Sequence, residues 1–420
     1  MIEKILHTPE GVRDIYDVEC KKKLKVIDII HSVLGKFSYQ DIETPTFEYF
    51  NIFNMDKGSA PSNEMYKFFD RNNNTLVLRP DMTPSIARCV AKYYADIDLP
   101  IRLCYKGNTF VNALLHQGKL NETTQIGGEL INDDSSAADS EIIACVISCM
   151  IEVGLREFQI EIGEVDYFKG LIEEAGLNYE TEKTLREYIQ LKNFFGLSEF
   201  VSKLDISENM KNALAGFDTL FGGLDMLEHA KTLVTNNKSI EAIERMKKVY
   251  NALAVYGYEK FVSFDLSMIN NYNYYTGIVF QGYTYGTGNA IVKGGRYNNL
   301  MQQFGKAAPA VGFAIYVDEL MLAISRNKID VTIDYSNILI LYERENQSRV
   351  IELAQKMRAS GKKIELIRKS AKHDLHDYEE YALKMHFSQL YYFENQSEAL
   401  KVSFLDGSRE NIAYDNIINI

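Results

Sequence analysis

The sequence predicts an α+β protein: an antiparallel sheet flanked by helices, interrupted by a helical insertion and followed by a small α/β domain. Three observations carry this prediction. Short apolar-alternating segments bounded by turn residues recur over the first 165 residues and again from about 260 to 295. Between roughly residues 166 and 258 the period changes from two to about 3.6 and strand signals are few. From about residue 331 two strand–helix repeats precede further strands, which makes a compact α/β unit. The main domain is therefore placed at residues 1–325, with its insertion at about 166–258, and the small domain at 331–420.

Taken in order, Val18 to Leu34 has the spacing of an amphipathic helix. FSYQDIETPTFEYF reads as extended chain broken at Pro45. Strands are expected at TLVLRP, IRLCYKG, TTQIGGELI, FQIEIGEV, FVSFDLS, YTGIVFQGYTYG and AIVKGG. Antiparallel pairing follows from the hairpin-like spacing of several of these. Helices are expected at PSIARCVAKYYA and at SSAADSEIIACVISCMIEVG, the latter with Ser and Asp as start signals. GLIEEAG, EKTLREYIQLKNFFG, SENMKNALAGF and SIEAIERMKKVYNALAVYG supply the insertion. In the last part, SNILILYE, KKIELIRK, FSQLYYFEN and LKVSFLDG read as strands, and QSRVIELAQKMRASG and HDLHDYEEYALKMH as helices.

Composition narrows the function classes. The chain has 420 residues, 46% hydrophobic, and a formal net charge of −12. That charge opposes a chain-wide attraction to nucleic acid, because phosphate binding is chiefly neutralisation by Lys and Arg. The N-terminus has no apolar run of signal-peptide length and no later segment approaches a membrane span, so a cytoplasmic location and no membrane partner are expected. Five cysteines without a CxxC pair suggest neither a disulfide framework nor a zinc site. Cys145 and Cys149, one helical turn apart in an apolar run, read as small core residues. His373 and His376, with Asp374 and Asp377, read as a helix start, so no metal and no cofactor are expected.

Motifs supply what composition does not. TPEGVRDIYD, LVLRPDMTPSIAR, the hairpin CYKGNTFVNALLHQGKLNETTQIGGELI, NNYNYYTGIVF, and KGGRYNNLMQQFG with PAVGFAIYVDEL occur in that order. Together they resemble histidyl-tRNA synthetase over about the first 325 residues, which implies a class II aminoacyl-tRNA synthetase-like fold. One such block alone would be weak; five in sequence are specific. In that family the LRPE and QIGxE blocks bind the histidine ammonium and imidazole, and the matching positions here are Asp81, Thr83, Gln125 and Glu129. Carboxylates and amides suit an ammonium, which has donors only. Tyr274, Tyr275 and Tyr297 match the family's aromatic wall, with Tyr274 and Tyr275 expected on opposite faces of a strand.

The nucleotide side departs from the family. Its Phe-Arg pair is here Phe110-Val111, and no arginine occurs between Arg102 and Arg156. Its Arg-Gly-Leu-Asp-Tyr-Tyr block begins here with Asn270, and the arginine of its last helix is replaced by Glu319, beside Asp318. Cations aimed at a reacting phosphate dominate such catalysis, and losing one costs roughly 100-fold or more. No catalytic residue is therefore assigned, and Val111, Asn270 and Glu319 mark the lost positions.

QIGGELI, YYTGIVFQGY, GGRYNNLMQQFG and PAVGFAI are similar to a synthetase paralogue, the regulatory subunits of ATP phosphoribosyltransferase. That resemblance implies a non-catalytic chain acting in the first step of histidine biosynthesis. It implies a homodimer within a hetero-octamer, with a short-form catalytic subunit as partner and histidine as allosteric effector. The segment IETPTFEY stands where the class II dimer motif lies. Two alternatives stay open: an active histidyl-tRNA synthetase, and a histidine-sensing paralogue with another partner. Residues 331–420 carry 12 Lys and Arg against 14 Asp and Glu, without the basic, aromatic-studded face of an RNA-binding surface, so a vestigial anticodon-binding domain and no nucleic-acid partner are expected. Arg79 reads as a structural partner of a carboxylate. Arg296, or a cation from a partner chain, is the expected counter-charge for a bound carboxylate, since an unpaired buried charge is costly.

Overall fold

A computed structural model describes residues 6–53, 61–112, 120–269 and 275–417. The chain divides into two compact units, Met1–Val331 and Thr332–Ile420.

The first unit is organised by a nine-stranded sheet. Its strands are β1 (Gln40–Asp41), β5 (Ile101–Phe110), β6 (Glu122–Ile131), β7 (Phe158–Glu164), β8 (Phe221–Gly222), β9 (Val262–Asp265), β10 (Ile278–Thr284), β11 (Val292–Arg296) and β12 (Ala310–Tyr316). Three further strands, β2 (Phe47–Tyr49), β3 (Lys67–Phe69) and β4 (Thr75–Leu78), form a separate small sheet. In space the large sheet runs β1-β5-β6-β12-β11-β10-β7-β9-β8. All pairs from β5 to β7 are antiparallel, as expected; β1 with β5 and β7 with β9 are parallel, so the sheet is mixed towards its edges.

One face of this sheet is covered. The helix Asp17–Lys36 buries Val26, Ile27, Ile30, Val33 and Leu34, one per turn or closer, which is the stripe its spacing dictates. Ser135 caps the next core helix, Ser136–Glu152, by accepting from the Ala138 amide. That helix buries Cys145 and Cys149 completely, as small core residues. From Val165 to Val255 six helices pack into the same apolar cluster, the last of them, Asn237–Val255, lying against the first, Val165–Glu174.

The strand β12 was not legible. AVGFAIY is a short apolar run, and such runs fit a buried strand or a helix segment equally. It sits between β6 and β11 at the middle of the sheet. The short β8 and the polar β17 (Arg409–Ala413) were likewise not expected.

The second unit has a five-stranded sheet in the order β14-β13-β15-β16-β17, from β13 (Asn337–Tyr342), β14 (Lys363–Arg368), β15 (Gln389–Phe393), β16 (Glu398–Ser403) and β17. Alternation along β13 divides its core: Ile338 and Ile340 pack with Val350 and Leu353 of the helix Gln347–Ala359, whereas Leu339 and Leu341 pack with Tyr378 and Ala382 of the helix Leu375–Lys384. Asp374 and Asp377 make a reciprocal capping box at the start of the latter helix, which accounts for the polar run around His373 and His376. Among the described residues no helix is long and apolar enough to cross a membrane.

Candidate functional site

The sheet's other face carries the site, and strand alternation decides which side chains reach it. On β6 these are Gln125, Gly127 and Glu129; on β12, Gly312, Ala314 and Tyr316; on β11, Lys293 and Gly295, with Tyr297 just beyond. The register aligns them into rows. Gly127, Ala314 and Lys293 lie abreast, and so do Glu129, Gly312 and Gly295. Small residues thus floor the cradle, with larger polar groups at its rim. At Gly312 a Cβ would meet the Glu129 carboxylate at 1.6 Å, and at Gly295 it would meet the Tyr275 ring at 2.6 Å, so both positions need glycine.

The resulting cavity of about 110 Å³ is lined by Asp81, Thr83, Gln125, Tyr275 and Tyr297, with Val111, Lys293 and Tyr316 among its other walls. Asp81 and Thr83 arrive at the start of the helix Thr83–Tyr93, where Asp81 Oδ1 accepts from the Thr83 amide at 3.3 Å. Thr83 Oγ1 donates to Glu129 Oε1 at 2.9 Å, and Tyr297 Oη donates to Glu129 Oε2 at 2.5 Å. Gln125 Nε2 donates to Thr109 Oγ1 at 3.1 Å, but Gln125 Oε1, although buried, has no hydrogen-bond partner among the described residues. A buried orphan acceptor is costly unless a donor arrives, and here it lines the cavity.

Glu129 is 1% exposed. Burial pushes its carboxyl up to about 8 and Asp81 adds to the rise, while the hydroxyl donors of Tyr297 and Thr83 oppose it. It is a carboxyl that ionises readily once a cation is placed against it. Tyr297 is raised well above the usual phenol range, first by burial and then by Glu129, so it stays a donor.

Of the expected site residues, Asp81, Thr83, Gln125, Glu129, Tyr275 and Tyr297 are brought together; Tyr274 and Asn270 lie outside the described residues. Tyr275 stands ahead of β10 and not within a strand, so strand alternation does not set its orientation. Val111 lines both this cavity and a larger neighbouring one of about 580 Å³, whose far wall includes Asp318 and Glu319. Asp318 accepts from Lys23 and from the Thr124 amide, each at 2.8 Å, and Glu319 accepts from Asn289 at 2.9 Å.

Two expectations about arginines are corrected. Among the described residues Arg79 pairs with no carboxylate: it donates to the carbonyls of Asn108 and Thr44 at 2.8 Å and of Pro45 at 3.3 Å, tying two backbone segments together. Arg296 is not available to a ligand. It is 1% exposed and bonds Asp139 at 2.8–2.9 Å and the Asp133 carbonyl at 2.9 Å, while Arg245 holds the other Asp139 oxygen at 2.7 Å. Alternation explains this, because Arg296 follows Gly295 and so faces the covered side. Among the described residues that line the cavity, the cation is Lys293, three residues earlier, to which sequence reasoning gave no role. The signal was parity: Lys293 shares the face of Gly295 and Tyr297.

Away from the site, His31 Nε2 lies 2.7 Å from Asp41 Oδ1, and Cys104 Sγ lies 3.5 Å from the same oxygen. Burial and Asp41 raise the Cys104 thiol to about 12, so it remains a neutral donor.

The family model described as histidyl-tRNA synthetase matches residues 11–320. A protein of Acetivibrio thermocellus named ATP phosphoribosyltransferase regulatory subunit is 38% identical over 366 residues, covering 87% of this chain and 88% of its own. One of the same name from Ruminiclostridium cellulolyticum is 36% identical over 99% of this chain and 98% of its own length. The chain belongs to the histidyl-tRNA synthetase-like family of ATP phosphoribosyltransferase regulatory subunits. Within this family, the crystal structure of an ATP phosphoribosyltransferase regulatory subunit/histidyl-tRNA synthetase from Bacillus halodurans superposes with a TM-score of 0.84 at 33% identity, over 94% of this chain and 99% of that one. The histidyl-tRNA synthetase of Nostoc superposes with a TM-score of 0.81 at 19% identity, which shows the shared class II fold.

Proposed function

We propose that this chain is a non-catalytic regulatory subunit that activates a short-form ATP phosphoribosyltransferase catalytic chain and carries histidine feedback to it. It works as a homodimer within a cytoplasmic hetero-octamer, without binding nucleic acid. The observation that carries this reading is the asymmetry of the site. The amino-acid pocket keeps Asp81, Thr83, Gln125, Glu129, Tyr275 and Tyr297 in one constellation, with a buried acceptor on Gln125 awaiting a donor. On the nucleotide side two positions where the family has arginines hold Val111, which offers no charge, and Glu319, which offers the wrong one; of the cations that do line that cavity, Arg13 is paired with Glu19 and Lys293 lies on the amino-acid side as well. An adenylate-forming site would need cations there. Histidine fits the pocket as effector: its ammonium against Asp81 and Gln125, its imidazole against Glu129 and Tyr297.

Feedback then requires that histidine bind the active and inhibited assemblies unequally. The experiment is phosphoribosyl-ATP formation by a short-form catalytic chain, alone, with this chain, and with added histidine. Activity that appears only in the mixture and falls with histidine supports the proposal. No activation and no complex on a sizing column would overturn it, and would leave a histidine sensor for another partner as the reading to pursue.

A further inference from the structure

The charge inventory of the pocket leads to Lys293, which opens the KGGRY block but has no role assigned by the family motifs. A bound histidine carries an ammonium, an imidazole and a carboxylate, and the acids Glu64, Asp81 and Glu129 suit the first two but not the third. Among the described residues lining the cavity, Lys293 is the one cation. It is partly exposed, and its ammonium lies 5.9 Å from the ring centre of Tyr316. It also lines the larger cavity beside Asp318 and a third, of about 300 Å³, beside Asp265, so it stands where three cavities meet.

The register sets the distance this residue has to span. Lys293 is two strands from Gly127, with Ala314 between, and Glu129 lies one same-face step further along β6. With strands about 4.8 Å apart and about 6.6 Å per same-face step, the two backbone positions are on the order of 12 Å apart. The lysine stands at one end of the small floor of Gly127, Ala314, Gly312 and Gly295, and the Glu129 carboxylate lies over Gly312, so the space above that floor lies between a cation and an acid. We propose that Lys293 is the anchor for the ligand's α-carboxylate, and hence the residue that makes this pocket select an amino acid over the corresponding amine. The inference rests on the histidine-binding reading above and names the group that completes it.

The test is calorimetric binding of histidine and of histamine, which lacks the carboxylate, to the full-length chain and to the variants Lys293→Met and Lys293→Arg. The wild type should prefer histidine, and Lys293→Met should weaken histidine binding by about 10- to 100-fold, the loss expected for a charged hydrogen bond. Histamine binding should stay within about twofold in that variant, and Lys293→Arg should restore most of the histidine affinity. Equal weakening of both ligands by Lys293→Met, or unchanged histidine binding, would overturn the anchor while leaving the histidine pocket in place. Failure of the wild type to bind histidine would overturn the pocket reading itself, and the anchor with it. Thermal melts of both variants, expected to match the wild type because the side chain is partly exposed, separate a binding effect from misfolding.

Discussion

Glu129 concentrates the chemistry of the pocket, and its burial makes a pH prediction. A carboxyl raised from its ordinary 4.5 to about 8 holds its proton in the folded protein and loses it in the unfolded one between those values. The stabilisation from that proton is fully present below about pH 4.5 and is lost as pH rises through about 8. The slope is at most about 1.4 kcal/mol per pH unit across that window. Glu164, which caps the helix Val165–Glu174, is also raised to about 8, mainly by burial, and adds a second contribution of the same sign. Glu129→Gln should therefore flatten part of the decline in denaturation free energy from pH 5 to 8. A variant whose slope equals that of the wild type would show that Glu129 is already ionised when folded. Arg296 is the contrasting residue. Removing one partner of a buried ion pair costs about 3–5 kcal/mol, so Arg296→Met should lower the unfolding free energy by that order. A near-neutral change in urea titrations would contradict the structural role assigned to it. Both residues were visible in the sequence, but only Glu129 could be placed. Whether an arginine beside a Gly-Gly pair faces a ligand or the core depends on strand parity, and the chain reaches Arg296 one residue out of phase with the pocket.

At the scale of elements, the site is a product of β6, β11 and β12 meeting in one register. Gly312 on β12 is the closest fit, with the Glu129 carboxylate where any side chain would begin. Gly312→Ala should displace that carboxylate and weaken histidine binding by about 10-fold or more by calorimetry, since the Thr83 and Tyr297 hydrogen bonds are lost together. Retained affinity would mean that the strands shift to make room at no cost to the site. The hairpin β5–β6 gives the opposite kind of prediction. Val111→Arg restores one cation to the wall shared by the two cavities, but Glu319 still faces the larger one. Histidine-dependent ATP–pyrophosphate exchange should stay at background, and clear exchange from that single change would show that the nucleotide side is less impaired than its charges imply. Period and turn residues made most of these elements legible. They did not reveal β12, because a run buried in the centre of a sheet has no polar alternate to betray its period.

At the scale of the whole molecule, the acidic chain and the order of five motif blocks pointed to a synthetase-like body that has turned from catalysis to regulation. The class II fold and membership of the family of regulatory subunits bear out the synthetase-like body, while the loss of catalysis is the reading proposed from Val111 and Glu319. What the sequence could not give is the position of charge in space: Arg296 bonds Asp139 and Arg79 bonds backbone carbonyls, and among the described residues lining the pocket the cation is Lys293. Regulation follows from that arrangement if the pocket is the effector site. Histidine binding then ionises Glu129 and supplies a donor to Gln125, and these gains must differ between the active and inhibited assemblies. The decisive measurement is histidine inhibition of phosphoribosyl-ATP formation by the assembled complex, with wild-type chain and with Glu129→Ala. The account predicts that the variant assembles and activates normally on a sizing column and in the uninhibited assay, while the histidine concentration for half inhibition rises by about 10-fold or more. Inhibition unchanged in a fully assembled Glu129→Ala complex would contradict it and place the effector site elsewhere.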